Sequence, residues 1–108
     1  MLKYISAICL CLQWPIQPAL ADTTGNRLFS DCDTQDHDYS ATWGLCYGYI
    51  EGVFDALEDV MPMCGYAGVT ARQLHDIVYQ YLESHPAERQ LDAHYLVARA
   101  FKQAFPCK

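Results

Sequence analysis

Six cysteines in a chain of 108 residues, at positions 9, 11, 32, 46, 64 and 107, limit what it can fold into more than any other feature. What they do depends on the first 21 residues. Lys3 precedes an apolar run from Tyr4 to Leu12, and the segment closes on Ala19-Leu20-Ala21, a small-x-small cleavage pattern. Residues 1–21 therefore read as a removable signal peptide and residues 22–108 as a single exported domain. The apolar run is too short for a bilayer span of roughly 20 residues, so no membrane association is expected. Cys9 and Cys11 follow Ile8 and Leu10 rather than the small residue that a lipoprotein signal uses. Both leave with the signal. Cys32, Cys46, Cys64 and Cys107 remain, an even number with no Cys-x-x-Cys pair, which points to disulfides rather than a zinc site or a redox motif. Removing 21 of 108 residues leaves 87, a domain whose small core benefits from such staples.

Apolar residues recur at helical spacing, and alternation of period two is absent. A brief helix is expected from Thr24 to Cys32, ending at the acidic loop from Asp33 to Tyr39. Ser40 offers an N-cap for a long helix from Ala41 to Met61, stopped by Pro62. Trp43, Tyr47, Ile50, Phe54, Leu57 and Met61 form its core stripe. After the turn-rich stretch 63–68, Thr70 and Gln73 have capping-box spacing, with Val69 and Leu74 placed as a hydrophobic staple. That third helix runs through Leu74, Ile77, Val78, Tyr81 and Leu82 to a break at Ser84-His85-Pro86. A fourth begins at the proline and repeats Leu91, Tyr95, Ala98, Phe101 and Phe105 down to Pro106. The fold class is all-α, a small disulfide-stapled bundle of about four helices. Four cysteines permit three pairings. An antiparallel hairpin of the last two helices returns Cys107 to Cys64, and Cys32 and Cys46 then tie the short helix to the long one.

Gly44, Gly48 and Gly52 recur at every fourth position of the long helix, with Ala56 continuing the row. Each glycine costs about 1 kcal/mol relative to alanine in a helix interior. A row without side chains is useful where another backbone approaches closely. The small residues Ala93, Val97, Ala100 and Ala104 of the fourth helix supply a counterpart, so close internal helix packing is the first expectation. A homodimer or partner contact is the other.

Catalysis is not expected. The chain has no Gly-x-Ser-x-Gly elbow, His-Glu-x-x-His pair, Walker loop or dinucleotide fingerprint. His37, His75, His85 and His94 are scattered, and none share the i, i+4 spacing of a metal pair. His94 reads as a hydrogen-bonded core histidine and His85 as a helix-cap neighbour. Glu51, Asp55 and Asp59 stand four apart, but no facing helix supplies the Glu-x-x-His of a carboxylate metal bundle, so they read as a solvated acidic ridge. Neither a metal nor a cofactor is implied. Without Lys3 the domain has 6 basic against 13 acidic side chains, a formal charge of −7. Nucleic acid is repelled; a basic partner is attracted, unless the charge serves solubility alone. Two surfaces are equipped to bind a protein. One is the loop with Asp36, His37, Asp38 and Tyr39. The other is the polar side of the third helix, where Arg72, His75, Asp76 and Glu83 surround an exposed Tyr79.

A wider pattern joins these pieces: Cys32; Cys46, Gly48, Tyr49, Ile50, Gly52, Val53, Asp55 and Ala56; Cys64; Gly68, Val69, Thr70, Gln73 and Leu74; Tyr81, Leu82, His85 and Pro86; and Phe105, Pro106 and Cys107. In order and spacing this resembles the Rap/Tai immunity family, periplasmic proteins that neutralise peptidoglycan amidase effectors delivered by bacterial type VI secretion systems. The resemblance implies a disulfide-bonded helical fold without activity of its own, often a homodimer, that covers the active-site cleft of a cognate effector amidase. A different class is also compatible with a short, helical, stapled and exported chain: a periplasmic acid-stress chaperone of the HdeA type, activated as its carboxylates protonate near pH 2–3, a rough window set by their ordinary titration.

Overall fold

The computed structural model describes residues 23–33 and 41–108. Within them lie α1 (Gly25–Asp31), α2 (Ala41–Leu57), α3 (Ala71–Ser84), a single 3₁₀ turn (Pro86–Glu88) and α4 (Ala93–Ala104). None of these helices is long and apolar enough to cross a membrane.

Thr24 starts α1 by accepting a hydrogen bond at Oγ1 from the Arg27 N–H at 3.2 Å, satisfying one of the free donors of the first turn. The Cys32 N–H closes the other end on the Leu28 carbonyl at 2.9 Å. At the start of α3 the Gln73 N–H donates to Thr70 Oγ1 while the Thr70 N–H donates to Gln73 Oε1, the reciprocal capping box that its sequence announces. Helix α2 ends at Leu57 rather than Met61, where the Val60 and Met61 N–H groups both turn back to the Leu57 carbonyl at 3.1 and 2.8 Å ahead of Pro62.

The fourth helix departs most from expectation. It begins at Ala93, not Pro86, because the chain between is used to hold α1. The N–H of Gly25 donates to Leu91 O, that of Asn26 to Arg89 O and that of Ala93 to Thr23 O, at 2.9, 2.7 and 2.7 Å. Gly25 is the position where a side chain would not fit: a Cβ there collides with Leu96 Cδ1 and comes within 2.8 Å of the Arg89 carbonyl. With α4 anchored this way, Ala93, Leu96, Val97, Ala100 and Phe101 face inward, while Leu91 (39 % exposed) and Tyr95 (56 %) do not. The expected stripe of Leu91, Tyr95 and Ala98 is thus rotated toward the alanine side. His94 is exposed, not a core histidine.

The core joins all four helices through Leu28, Ile50, Val78, Leu82, Leu96, Val97 and Phe101. Phe54 meets Phe101 and Tyr66 edge-on at 5.4 and 5.5 Å, the arrangement that the ring quadrupoles favour. Both expected disulfides are present, Cys32–Cys46 and Cys64–Cys107.

Close internal packing at the glycine row is not present among the described residues. A Cβ added at Gly44, Gly48 or Gly52 meets none of them within 4 Å, and Ala56 is exposed. The side of α2 that packs is the one with Cys46, Ile50 and Phe54, which leaves the row turned outward. The alanines expected opposite it are spent elsewhere, with Ala93 and Ala100 in the core.

Candidate partner-binding surface

Rings stacked across three helices form the most organised polar–aromatic feature of the described residues. On α2, Trp43 lies 4.1 Å from Tyr47, one helical turn on. Tyr47 stacks on His75 of α3 at 5.1 Å with planes 3° apart, and His75 is followed by Tyr79 at 5.8 Å. Tyr79 stacks on Phe29 of α1 at 5.1 Å, and the Arg89 guanidinium sits 4.3 Å above Phe29. The sequence supplies the pairs Trp43/Tyr47 and His75/Tyr79 at i, i+4, where side chains of one helix meet. Only packing of α1, α2 and α3 lines the pairs up into one ladder.

His75 is the rung that binds the ladder to the first disulfide. It is 4 % exposed. Its Nε2 donates to the Cys32 carbonyl at 3.1 Å, and Nδ1 lies 3.1 Å from Asp76 Oδ1. The expectation that His75 faces outward on α3 is therefore corrected: a ring flanked by Tyr47 and Tyr79 loses its solvent contact, and its polar atoms are met by Cys32 and Asp76. Tyr79 is likewise a half-buried rung rather than a free aromatic among charges. Arg72, Asp76 and Glu83 are exposed as expected, and Arg72 reaches Asp76 at 3.5 Å. Asp36, His37, Asp38 and Tyr39, with the Ser40 cap, lie outside the described residues. Burial pushes the Tyr47 phenol above its usual range; Arg72 opposes this and Asp76 and Glu51 add to it. Burial also raises Tyr79, reinforced by Asp33 and Glu83 and opposed by Arg89.

Two further clusters have structural explanations. Cys32, Cys46 and His75 bring three potential metal-ligand atoms within 4.8 Å, but the sulfurs are bonded to each other and offer no thiolate. Ser84 Oγ lies 3.0 Å from His85 Nδ1. That nitrogen is 2.7 Å from the Tyr81 carbonyl, to which it donates, while the Ser84 hydroxyl donates to Gln80 O at 2.8 Å. A nitrogen that holds its proton for a carbonyl is no base for the hydroxyl, so the pair closes the end of α3 rather than activating a nucleophile.

Beside it, the Tyr81 hydroxyl donates to Glu88 Oε2 at 3.0 Å, and Arg99 approaches the same carboxylate at 3.6 Å. Burial, then the Glu88 hydrogen bond and charge, raise the Tyr81 phenol above its usual value of 10.0. A group with a raised folded value contributes stability that is complete below its unfolded value and lost as pH climbs through the folded one. Stability is therefore expected to fall as pH rises above about 10. Tyr81→Phe removes one such phenol. Urea melts at neutral and alkaline pH should show about 0.5–1.5 kcal/mol less stability for the variant at neutral pH, together with a shallower alkaline decline.

A family model of Rap1a immunity proteins matches residues 24–107. No curated protein matches the chain. The matched span runs from the α1 cap through both disulfides and all four helices; the chain belongs to the Rap1a immunity protein family.

Proposed function

We propose that this is a periplasmic immunity protein that binds a peptidoglycan amidase effector of a type VI secretion system and blocks it by covering the active-site cleft. The family match over residues 24–107 is the observation that supports this most directly. The segment from Lys3 to Ala21 acts as the export signal, and export explains why a small domain is stapled by disulfides that a reducing cytoplasm would not maintain. The partner meets the face that joins α2, α3 and the start of the Cys32–Cys46 loop. Here His75 fastens the carbonyl of Cys32 to α3, so the end of α1 and the polar side of α3 share one support.

The test mixes the purified protein with a candidate type VI secretion amidase. Co-purification of the two, loss of muralytic activity on mixing, and rescue of cells that express the amidase in the periplasm are the expected results. Light scattering on the same sample reads whether the protein binds as a homodimer. Failure to protect cells from any periplasmic amidase would refute the immunity role; suppression of client aggregation at acid pH would point to a chaperone.

A further inference from the structure

We propose that the outer end of the aromatic ladder, Trp43 and Tyr47 with the carboxylates of Glu51 and Asp76 beside them, receives an arginine or lysine side chain from a basic loop of the partner protein. This rests on the proposal that the chain binds a protein effector, and adds the chemistry of the contact.

The opposite end of the ladder already shows the chemistry. Phe29 holds the Arg89 guanidinium 4.3 Å from its ring centre, within the roughly 6 Å over which a ring face attracts a cation. Trp43, the best ring type for such a contact, is the last ring at the other end among the described residues and is only partly buried, as is Tyr47. The charges there favour a cation. Helix α2 has Glu51 and Asp55 but no lysine, arginine or histidine between Ala41 and Leu57. Of the charges that act on Tyr47, the positive Arg72 acts most strongly, followed by the negative Asp76 and Glu51. Arg72 is drawn to Asp76, which leaves Glu51 as an acid next to the ladder.

A second copy of this chain is a poor occupant of this face, because each mature copy has a formal charge of −7 and presents the same Glu51 and Asp76 there. A basic loop gains from the same field, first in its rate of encounter and then in the stacked contact.

The probe is a short peptide of alternating arginine and glycine, with its citrulline counterpart as the neutral control. In the mature protein, residues 22–108, Trp43 is the sole tryptophan, so its emission reports contact directly. The arginine peptide should change that emission saturably and the citrulline peptide should not. Glu51→Gln with Asp76→Asn should weaken the arginine peptide by about tenfold, the scale of one lost charge-assisted contact. Glu58→Gln with Asp59→Asn, the same loss of charge farther along the chain, should weaken it by less than about twofold. Glu51→Gln alone serves if Asp76→Asn alters the circular dichroism. Peptide binding that leaves Trp43 emission unchanged, or equal weakening by both double variants, would overturn the proposal. Because no effector is present in these titrations, they fail or succeed independently of the co-purification and protection assays.

Discussion

Complete reduction of the two disulfides is expected to unfold the domain at room temperature. In the chain-entropy account, closing the 14-residue separation of Cys32–Cys46 contributes about 3 kcal/mol and the 43-residue separation of Cys64–Cys107 about 4 kcal/mol. A natural domain has a total stability of only about 5–15 kcal/mol, with small domains toward the lower end. Removing both cross-links therefore takes away most or all of the margin. Order is expected as well. Cys64 and Cys107 are exposed, whereas Cys32 and Cys46 are fully buried beneath the ladder, so a mild thiol reductant should open the second bridge first. Cys64→Ser with Cys107→Ser should lower stability by about 4 kcal/mol in urea melts. Retention of full helicity in a sample whose four thiols all react with a thiol reagent would contradict this account.

The glycines provide the second large effect, and its sign differs by position. Gly44→Ala, Gly48→Ala and Gly52→Ala together should raise the stability of the isolated protein by about 3 kcal/mol, since each removes about 1 kcal/mol of helix cost and no added Cβ meets a neighbour among the described residues. Gly25→Ala should do the reverse. Its Cβ is driven against Leu96 and the Arg89 carbonyl, and the carbonyl cannot move without disturbing the Asn26 N–H bond to it. Overpacking of this kind costs about 1–3 kcal/mol. Thermal melts of the two variants separate the predictions directly. The triple variant also tests what the outward row is for: weaker self-association or weaker effector binding in a more stable protein would place an intermolecular contact on α2.

Much of the architecture is legible in local chemistry. Thr70 and Gln73 define the start of α3 because a capping box is made by residues three apart. Pro62 and Pro86 mark breaks because a proline restricts the residue before it. The cysteine pairing follows once α3 and α4 are taken as antiparallel. The site was less legible. Arg72, Asp76 and Glu83 are exposed on α3 as their helical positions suggest, but His75 and Tyr79 are not, because α1 and α2 supply Phe29 and Tyr47 to cover them. The i, i+4 spacings of Trp43 with Tyr47 and of His75 with Tyr79 were visible signals for stacking; Phe29 and the joins between helices had none.

By itself the sequence determined the helical class, the helix starts set by caps, and the four bridging cysteines, all properties carried by residues close together in the chain or by the sulfur chemistry itself. Tertiary structure alone decided the inward face of α4, the outward glycine row and the six-member stack from Trp43 to Arg89. These depend on the rotation of one helix against another. That rotation is set by contacts such as Gly25 against Leu96, between residues far apart in the chain, and no local periodicity records it.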